Sequence, residues 1–241
     1  SGLLTACAAQ VERLKSREAP RSELRERLEG YHRWLGASPA ALKNVAALGE
    51  EGTWAVVTGQ QAVISGGPLL VLYKALTAVA VARAVEAAGL GRCVPVFWNA
   101  SDDHDVEEVN HVHLLEGADV RKHSVALEGG GRPVSDISLD ESVAGYLRGL
   151  DAALPVSPAC ERTQALFRRN TTGTLSLSFS LILSRLFADE GLVLVEPRVL
   201  RGPSAPIMVR AVTEHEKLAE CLARTTEAMT RAGYRPPLEL P

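Results

Sequence analysis

The chain has 241 residues, 46% of them apolar and 23% charged, with a formal net charge of -3. That is enough chain to bury a full core as one large α/β domain, or as one domain with an appendage. So even a charge balance gives no electrostatic case for nucleic acid or for an anionic membrane surface. No apolar run reaches the ~18 residues that a membrane span needs, since the stretch from Leu69 to Ala84 is interrupted by Lys74 and Arg83. The opening Ser1-Gly2-Leu3-Leu4 lacks the basic segment of a secretory signal, and a cytoplasmic protein is expected. Cys7, Cys93, Cys160 and Cys221 are scattered without metal-binding spacing, which gives neither a zinc site nor a disulfide framework.

Residues 5–35 read as helical with a break at Pro20, because Leu24, Leu28, Tyr31 and Leu35 recur at helical spacing. Pro39 opens a short helix at its favoured first-turn position, ending near Gly49. A strand is predicted over 53–58, followed by a loop bearing Gly59, Gly66 and Gly67. Those glycines admit positive φ or close approach of a ligand to the backbone. Pro68 then opens a long helix over 69–88, apolar on most of its surface and expected to be buried between layers. A second strand covers 93–98, where Cys93 reads as a small buried hydrophobe.

Two further strands are predicted over 109–115 and 120–127, then a helix over 138–150. A helical region follows over 159–189, interrupted near Thr171 to Gly173. The unbroken apolar run 191–196 predicts a strand buried on both faces. A last helix over 204–232 carries Ile207, Val212, Leu218 and Leu222 on one stripe. This order predicts an α/β fold with a largely parallel sheet flanked by helices and a long C-terminal helix.

Ligands of open parallel sheets bind at the C-terminal strand ends, and two polar segments fall there. The first is Thr58-Gly59-Gln60-Gln61, followed by Gly67 and Pro68 at the opening of the long helix. Backbone N–H groups at such a helix start suit phosphate or carboxylate, and Lys74 lies within reach as a point charge. Gln60 and Gln61 offer neutral donors and acceptors for orienting a substrate. The loop matches neither the dinucleotide fingerprint nor the P-loop. An ordinary turn with a snorkelling lysine explains the same residues.

The second segment is Trp98-Asn99 with Ser101-Asp102-Asp103-His104-Asp105. Three carboxylates packed around an imidazole favour its charged form and make His104 a candidate acid/base. Helix capping by Asp102 or Asp103 accounts for one aspartate and not for the cluster. Asn110, His111 and His113 follow, so a metal-dependent hydrolase using Asp102, His104, Asp105 and His111 is one alternative. A non-catalytic scaffold whose end helices bind a partner is another.

Taken in order, Val56-Val57-Thr58-Gly59-Gln60-Gln61-Ala62, Gly66-Gly67-Pro68, Tyr73-Lys74-Ala75, Pro95-Val96-Phe97-Trp98, Asp102-Asp103-His104-Asp105 and Glu108-Val109-Asn110-His111 resemble the cysteine ligase family of bacillithiol biosynthesis. Phe187 and Gly191 to Val195 resemble it as well. The resemblance implies a Rossmann-like core and a ligase that joins the cysteine carboxyl group to the amine of glucosaminyl-malate. It also implies ATP, with Mg2+, as the activating co-substrate. His104 would then deprotonate the amine, oriented by Asp102, Asp103 or Asp105, or these would hold Mg2+. Lys74 would bind oxyanions, and Thr58, Gly59, Gln60, Gln61, Gly67, Pro68, Trp98, Asn99, Ser101, Asn110 and His111 would form the substrate pocket. The geometry also resembles class I aminoacyl-tRNA synthetases, with Leu70-Val71-Leu72-Tyr73 where those enzymes carry a histidine pair. On this resemblance, residues 1–50 form a helical segment packing on the core, 51–202 the Rossmann-like catalytic core and 203–241 the start of a coiled coil. Family members are longer, so the chain is expected to be a fragment or a shortened relative, pairing as a homodimer through its C-terminal helix.

Overall fold

The computed structural model describes residues 2–17, 21–139 and 141–237. Three helices come first: α1 (Gly2–Leu14), α2 (Arg21–Trp34) and α3 (Pro39–Leu48). Ser38 caps α3 through the Ala41 N–H, with Pro39 in the first turn. The predicted break at Pro20 lies outside the described residues.

Strand β1 (Thr53–Gln60), helix α4 (Leu69–Ala87) and strand β2 (Arg92–Asn99) form the expected β-α-β unit. Helix α5 (Val106–Val109) leads into β3 (His111–Glu116) and β4 (Asp119–Ser124). These pair antiparallel as a separate two-stranded sheet. The loop between Glu116 and Asp119 is too short for a parallel crossover and suits an antiparallel hairpin. Helices α6 (Ser142–Ala153), α7 (Pro158–Asn170) and α8 (Leu175–Leu186) follow. The helix predicted over 138–150 starts later because Ser138 bridges to Thr174 as an isolated β pair. The interruption before α8 is the turn at Gly173, with φ of 69°, after which Thr174 caps α8. The chain then forms β5 (Val193–Val195), α9 (Pro197–Thr213) and α10 (His215–Arg231).

The main sheet is parallel, in the order β1-β2-β5. Strand alternation divides its two faces. Phe97 of β2 and Leu194 of β5 join the core built by α4 and α8, where the Phe97 and Phe179 rings lie 5.9 Å apart. Val94, Val96, Val193 and Val195 join the opposite core, against Leu28 of α2 and Val45, Ala47 and Leu48 of α3. β5 is buried on both faces, as its unbroken pattern predicts.

Helix α4 departs from the sequence expectation. Val71, Ala75, Ala78, Val79, Ala82 and Val85 are buried, whereas Leu69, Leu70, Tyr73 and Leu76 are exposed. The helix is covered on one side alone because β1 is an edge strand, with Val57 itself 62% exposed.

The chain divides into two compact units, Ser1–Leu200 and Arg201–Pro241. The single helix predicted over 204–232 is instead two helices meeting at Glu214, and α9 begins earlier than expected because Pro197 starts it directly after β5. In the second unit Ile207, Val212 and Leu218 are exposed.

Candidate functional site

The C-terminal end of β1 opens onto a cavity of about 540 Å³, within the usual size for a small-molecule site. Gln60 and Gln61 line it from the end of β1, and Gly67 and Pro68 from the loop into α4. His111 and His113 enter from β3, their rings 5.1 Å apart, edge to face. The two histidines sit two residues apart on one strand, so alternation places both on the same side. Leu72, Leu114, Leu150, Leu166 and Phe167 supply apolar wall. Burial, with Lys122 and His113 nearby, holds the His111 imidazole below its ordinary pKa and favours its neutral form.

The loop between β1 and α4 is shaped by its glycines. Gly67 has φ of 79°, and a side chain there would press on Val63 and Val71 at 3.1 Å. Ser65 sits at φ of 55°, unusual for a residue with a Cβ. Its hydroxyl is 3.1 Å from the Tyr146 hydroxyl, whose own ionisation burial pushes up to about 12. Gly59 meets a further steric demand. A Cβ there would lie 2.7 Å from the Trp98 carbonyl oxygen, so close packing on β2 requires the glycine.

Gln61 joins the two polar segments. Its Nε2 donates to Asp103 Oδ2 at 2.7 Å and to Glu108 Oε2 at 2.8 Å. Asp103 Oδ1 accepts the backbone N–H groups of His104 and Asp105, at 2.7 and 3.1 Å. The Gln61 amide, followed by the Asp105 N–H, holds the Asp103 carboxyl below its usual range. Asp102, His104 and Asp105 are exposed on the same loop. Lys74 reaches back from α4 to the end of β1, donating to Gly59 O at 3.2 Å and Gln60 Oε1 at 2.8 Å. Thr58 lies with Lys74 along the outer edge of β1, in a separate shallow groove.

The remaining predicted residues go inward. Trp98 packs on the core shared with α2 and α3. Asn99 is wholly buried, its Nδ2 donating to Ser176 Oγ at 3.0 Å and Ser180 Oγ at 2.9 Å, while its Oδ1 has no partner among the described residues. Ser101, also wholly buried, donates to Glu196 Oε2 at 3.4 Å. Asn110 is buried with its Oδ1 3.2 Å from His111 Nδ1.

Glu196, directly after β5, is the centre of that interior network. Tyr31 and Ser180 donate to its Oε1, the latter at 3.1 Å, and the Arg198 Nε lies 2.9 Å from its Oε2. The carboxylate itself is wholly buried, so these donors offset the cost of keeping its charge inside. Burial, then the adjacent Glu196 charge, pushes the Tyr31 phenol well up, and it remains a donor. Sequence reasoning ended the last strand at residue 196 without this partnership, and it missed Ser65, Tyr146 and the α7 wall. The unbroken run before Glu196 was the available signal for the network, and none existed for the α7 contacts. Cys93 is pushed up to about 11 by burial and by Glu86, so its thiol stays protonated.

Together these features define a Rossmann-like α/β domain with a ligand-sized cavity at the C-terminal end of its edge strand β1. The family described as "Bacillithiol biosynthesis BshC, N-terminal Rossmann-like domain" matches residues 4–240, and the chain belongs to it. A relative from Koribacter versatilis named "Putative cysteine ligase BshC" is 34% identical over 231 residues, covering 94% of this chain and 43% of the relative. A like-named protein from Heliobacterium modesticaldum is 35% identical over 255 residues, covering 97% and 46%. One from Bacillus cytotoxicus is 29% identical over 233 residues, covering 94% and 43%. The chain thus spans less than half the length of the curated relatives it matches.

Proposed function

We propose that this domain acts in a ligase that joins the carboxyl group of cysteine to the amine of glucosaminyl-malate, with ATP activating the carboxylate. The observation that carries this reading is the Gln61 amide shared by Asp103 and Glu108 at the strand ends, beside a cavity with apolar walls and imidazole and amide groups. An amine acceptor must lose a proton as the amide forms, and a positioned base takes it up. His104 fills that role from the exposed loop after β2, with Asp103 fixing the loop backbone through the His104 and Asp105 N–H groups. Neutral Gln60 and Gln61 orient the acceptor, and Lys74 places positive charge at the end of β1.

Magnesium fits this donor set as an ion carried by the nucleotide. Among the described residues no three carboxylate, imidazole or thiol groups gather with metal-holding geometry. When bound, Mg-ATP would supply the leaving group that makes the carboxyl carbon reactive, and Lys74 with the Asp102 and Asp105 loop would contact it. In the same reading the exposed Ile207, Val212 and Leu218 pair the C-terminal helices of two copies.

The test is incubation with cysteine, glucosaminyl-malate and Mg-ATP, with mass spectrometry of thiol and nucleotide products. The full-length Heliobacterium relative serves as reference. A product of bacillithiol mass supports the reading, and AMP or ADP identifies how the carboxylate is activated. His104→Ala is expected to lower turnover about 100-fold or more, the usual contribution of a general base. Unchanged turnover in that variant removes His104 from the mechanism. If the relative forms product while this chain neither forms it nor binds any of the three substrates, the reading is wrong.

A further inference from the structure

The reading above leaves the Glu196 network without a task. Glu196 is wholly buried at the end of β5, next to the end of β2; its Oε1 takes two donors, and its Oε2 accepts from Ser101 and is ion-paired with Arg198. Folding alone does not call for this, because apolar residues of similar volume stabilise such a position equally well. What the pair accomplishes is to fix Arg198. Its guanidinium lies over the Tyr31 ring at 5.7 Å and over the Trp34 ring at 5.3 Å, with Nε held by Glu196. The Arg198 side chain is 39% exposed, and among the described residues it is ion-paired to no carboxylate besides Glu196. Tyr31 completes the support, since the hydroxyl that anchors Glu196 belongs to the ring under Arg198.

An arginine tied at Nε and stacked on aromatic rings has lost most of its side-chain freedom. Its remaining N–H groups form a planar fork that matches an oxyanion. We infer that Arg198, oriented by Glu196 and the Tyr31–Trp34 shelf, binds a phosphate or carboxylate group of the ligand on the β5 side of the strand ends. Glu196 is a positioning residue in this arrangement, acting through Arg198. The inference rests on the proposed ligase reading for its choice of anions, because that reaction brings both carboxylate and phosphate to this edge.

The experiment is calorimetric titration of the intact chain with inorganic phosphate, ATP, cysteine and succinate, for the wild type and for Arg198→Met, Arg198→Lys and Glu196→Gln. The phosphate and succinate arms separate the two anion sources. At least one anion is expected to bind, and Arg198→Met should weaken it about 10- to 100-fold, the worth of a charge-assisted hydrogen-bond pair. Arg198→Lys keeps the charge but not the fork, and should recover part of that loss. Glu196→Gln should weaken binding less, and adding it to Arg198→Met should change nothing further. A merely structural Glu196 would instead give additive losses.

Absence of binding by all four anions overturns the inference, as does a folded Arg198→Met chain that binds them like the wild type. Should Arg198→Met fail to fold, an Arg198→Lys chain with wild-type affinity overturns it equally. Arg198-dependent binding of phosphate or succinate by a chain that neither forms the amide nor binds cysteine, glucosaminyl-malate or ATP would remove the ligase reading and leave this inference standing. Amide formation that survives Arg198→Met at unchanged KM would do the reverse.

Discussion

Replacing His32 with alanine tests how the outer edge of β5 is closed. His32 is 1% exposed on α2, with Nδ1 2.8 Å from Leu28 O and Nε2 3.0 Å from Leu194 N. The Leu194 N–H can only donate, so Nε2 accepts and Nδ1 carries the proton given to Leu28 O. Alanine leaves the buried Leu194 N–H without an acceptor, costing about 1–3 kcal/mol. The space left by the ring adds to this, for a total of about 3–5 kcal/mol. The Leu28 carbonyl adds little, since its place in the helix already provides one partner.

Burial holds the His32 ring below its ordinary pKa of 6.5, outweighing the hydrogen bond to Leu28. As pH falls below that value the unfolded chain takes up a proton that the folded chain refuses. The wild type then loses stability by up to about 1.4 kcal/mol per pH unit, until the folded ring protonates too. Stability from this group is therefore complete above the unfolded pKa and lost on acidification. Urea unfolding followed by circular dichroism, at about pH 7.5 and about pH 5.5, measures both effects. The penalty of His32→Ala should be smaller at the lower pH. A penalty under about 1 kcal/mol, or one equal at both pH values, refutes the neutral bridging ring.

Gln61→Leu removes the amide that holds Asp103 down. The Asp103 titration midpoint, followed by carbon-13 NMR, should rise toward the ordinary carboxylate value, and the stability that Asp103 contributes above that value should shrink. A midpoint that stays put would show that the His104 and Asp105 N–H groups alone set it. Gly59→Ala places a Cβ 2.7 Å from the Trp98 carbonyl, against backbone that cannot swing away. Thermal melting should show a loss of about 1–3 kcal/mol, the cost of overpacking, and an unchanged melting temperature would mean β1 and β2 can separate slightly.

The β-α-β unit was legible because its signals are local. Thr53 to Gln60 and Arg92 to Asn99 are short β-rich runs, and Pro68 and Gly89 punctuate the helix between them. The same locality placed Gln60 and Gln61 at a strand end and Gly67 and Pro68 at the opening of the helix, and the fold brings these four, with His111, around one cavity. Helix α4 was misjudged because its composition is apolar all round, while its burial depends on β1 having no neighbour on its outer side. Asn99 and Ser101 looked like pocket residues from their position after a strand. Strand parity instead turns Asn99 toward Ser176 and Ser180 of α8, on the Phe97 side of the sheet.

What the sequence by itself determined was the class of fold, the strand ends that carry chemistry and the family the chain resembles. These follow from periodicity, punctuation and ordered motifs, all of which are written within short windows. Only the tertiary structure decided that Gln61 bridges Asp103 to Glu108, separated from it by 42 and 47 residues, and that the Tyr31 hydroxyl donates to the buried Glu196 carboxylate, 165 residues away. The physical reason is that a buried carboxylate is tolerated only where its donors converge, and convergence is set by which helices pack on which face of the sheet.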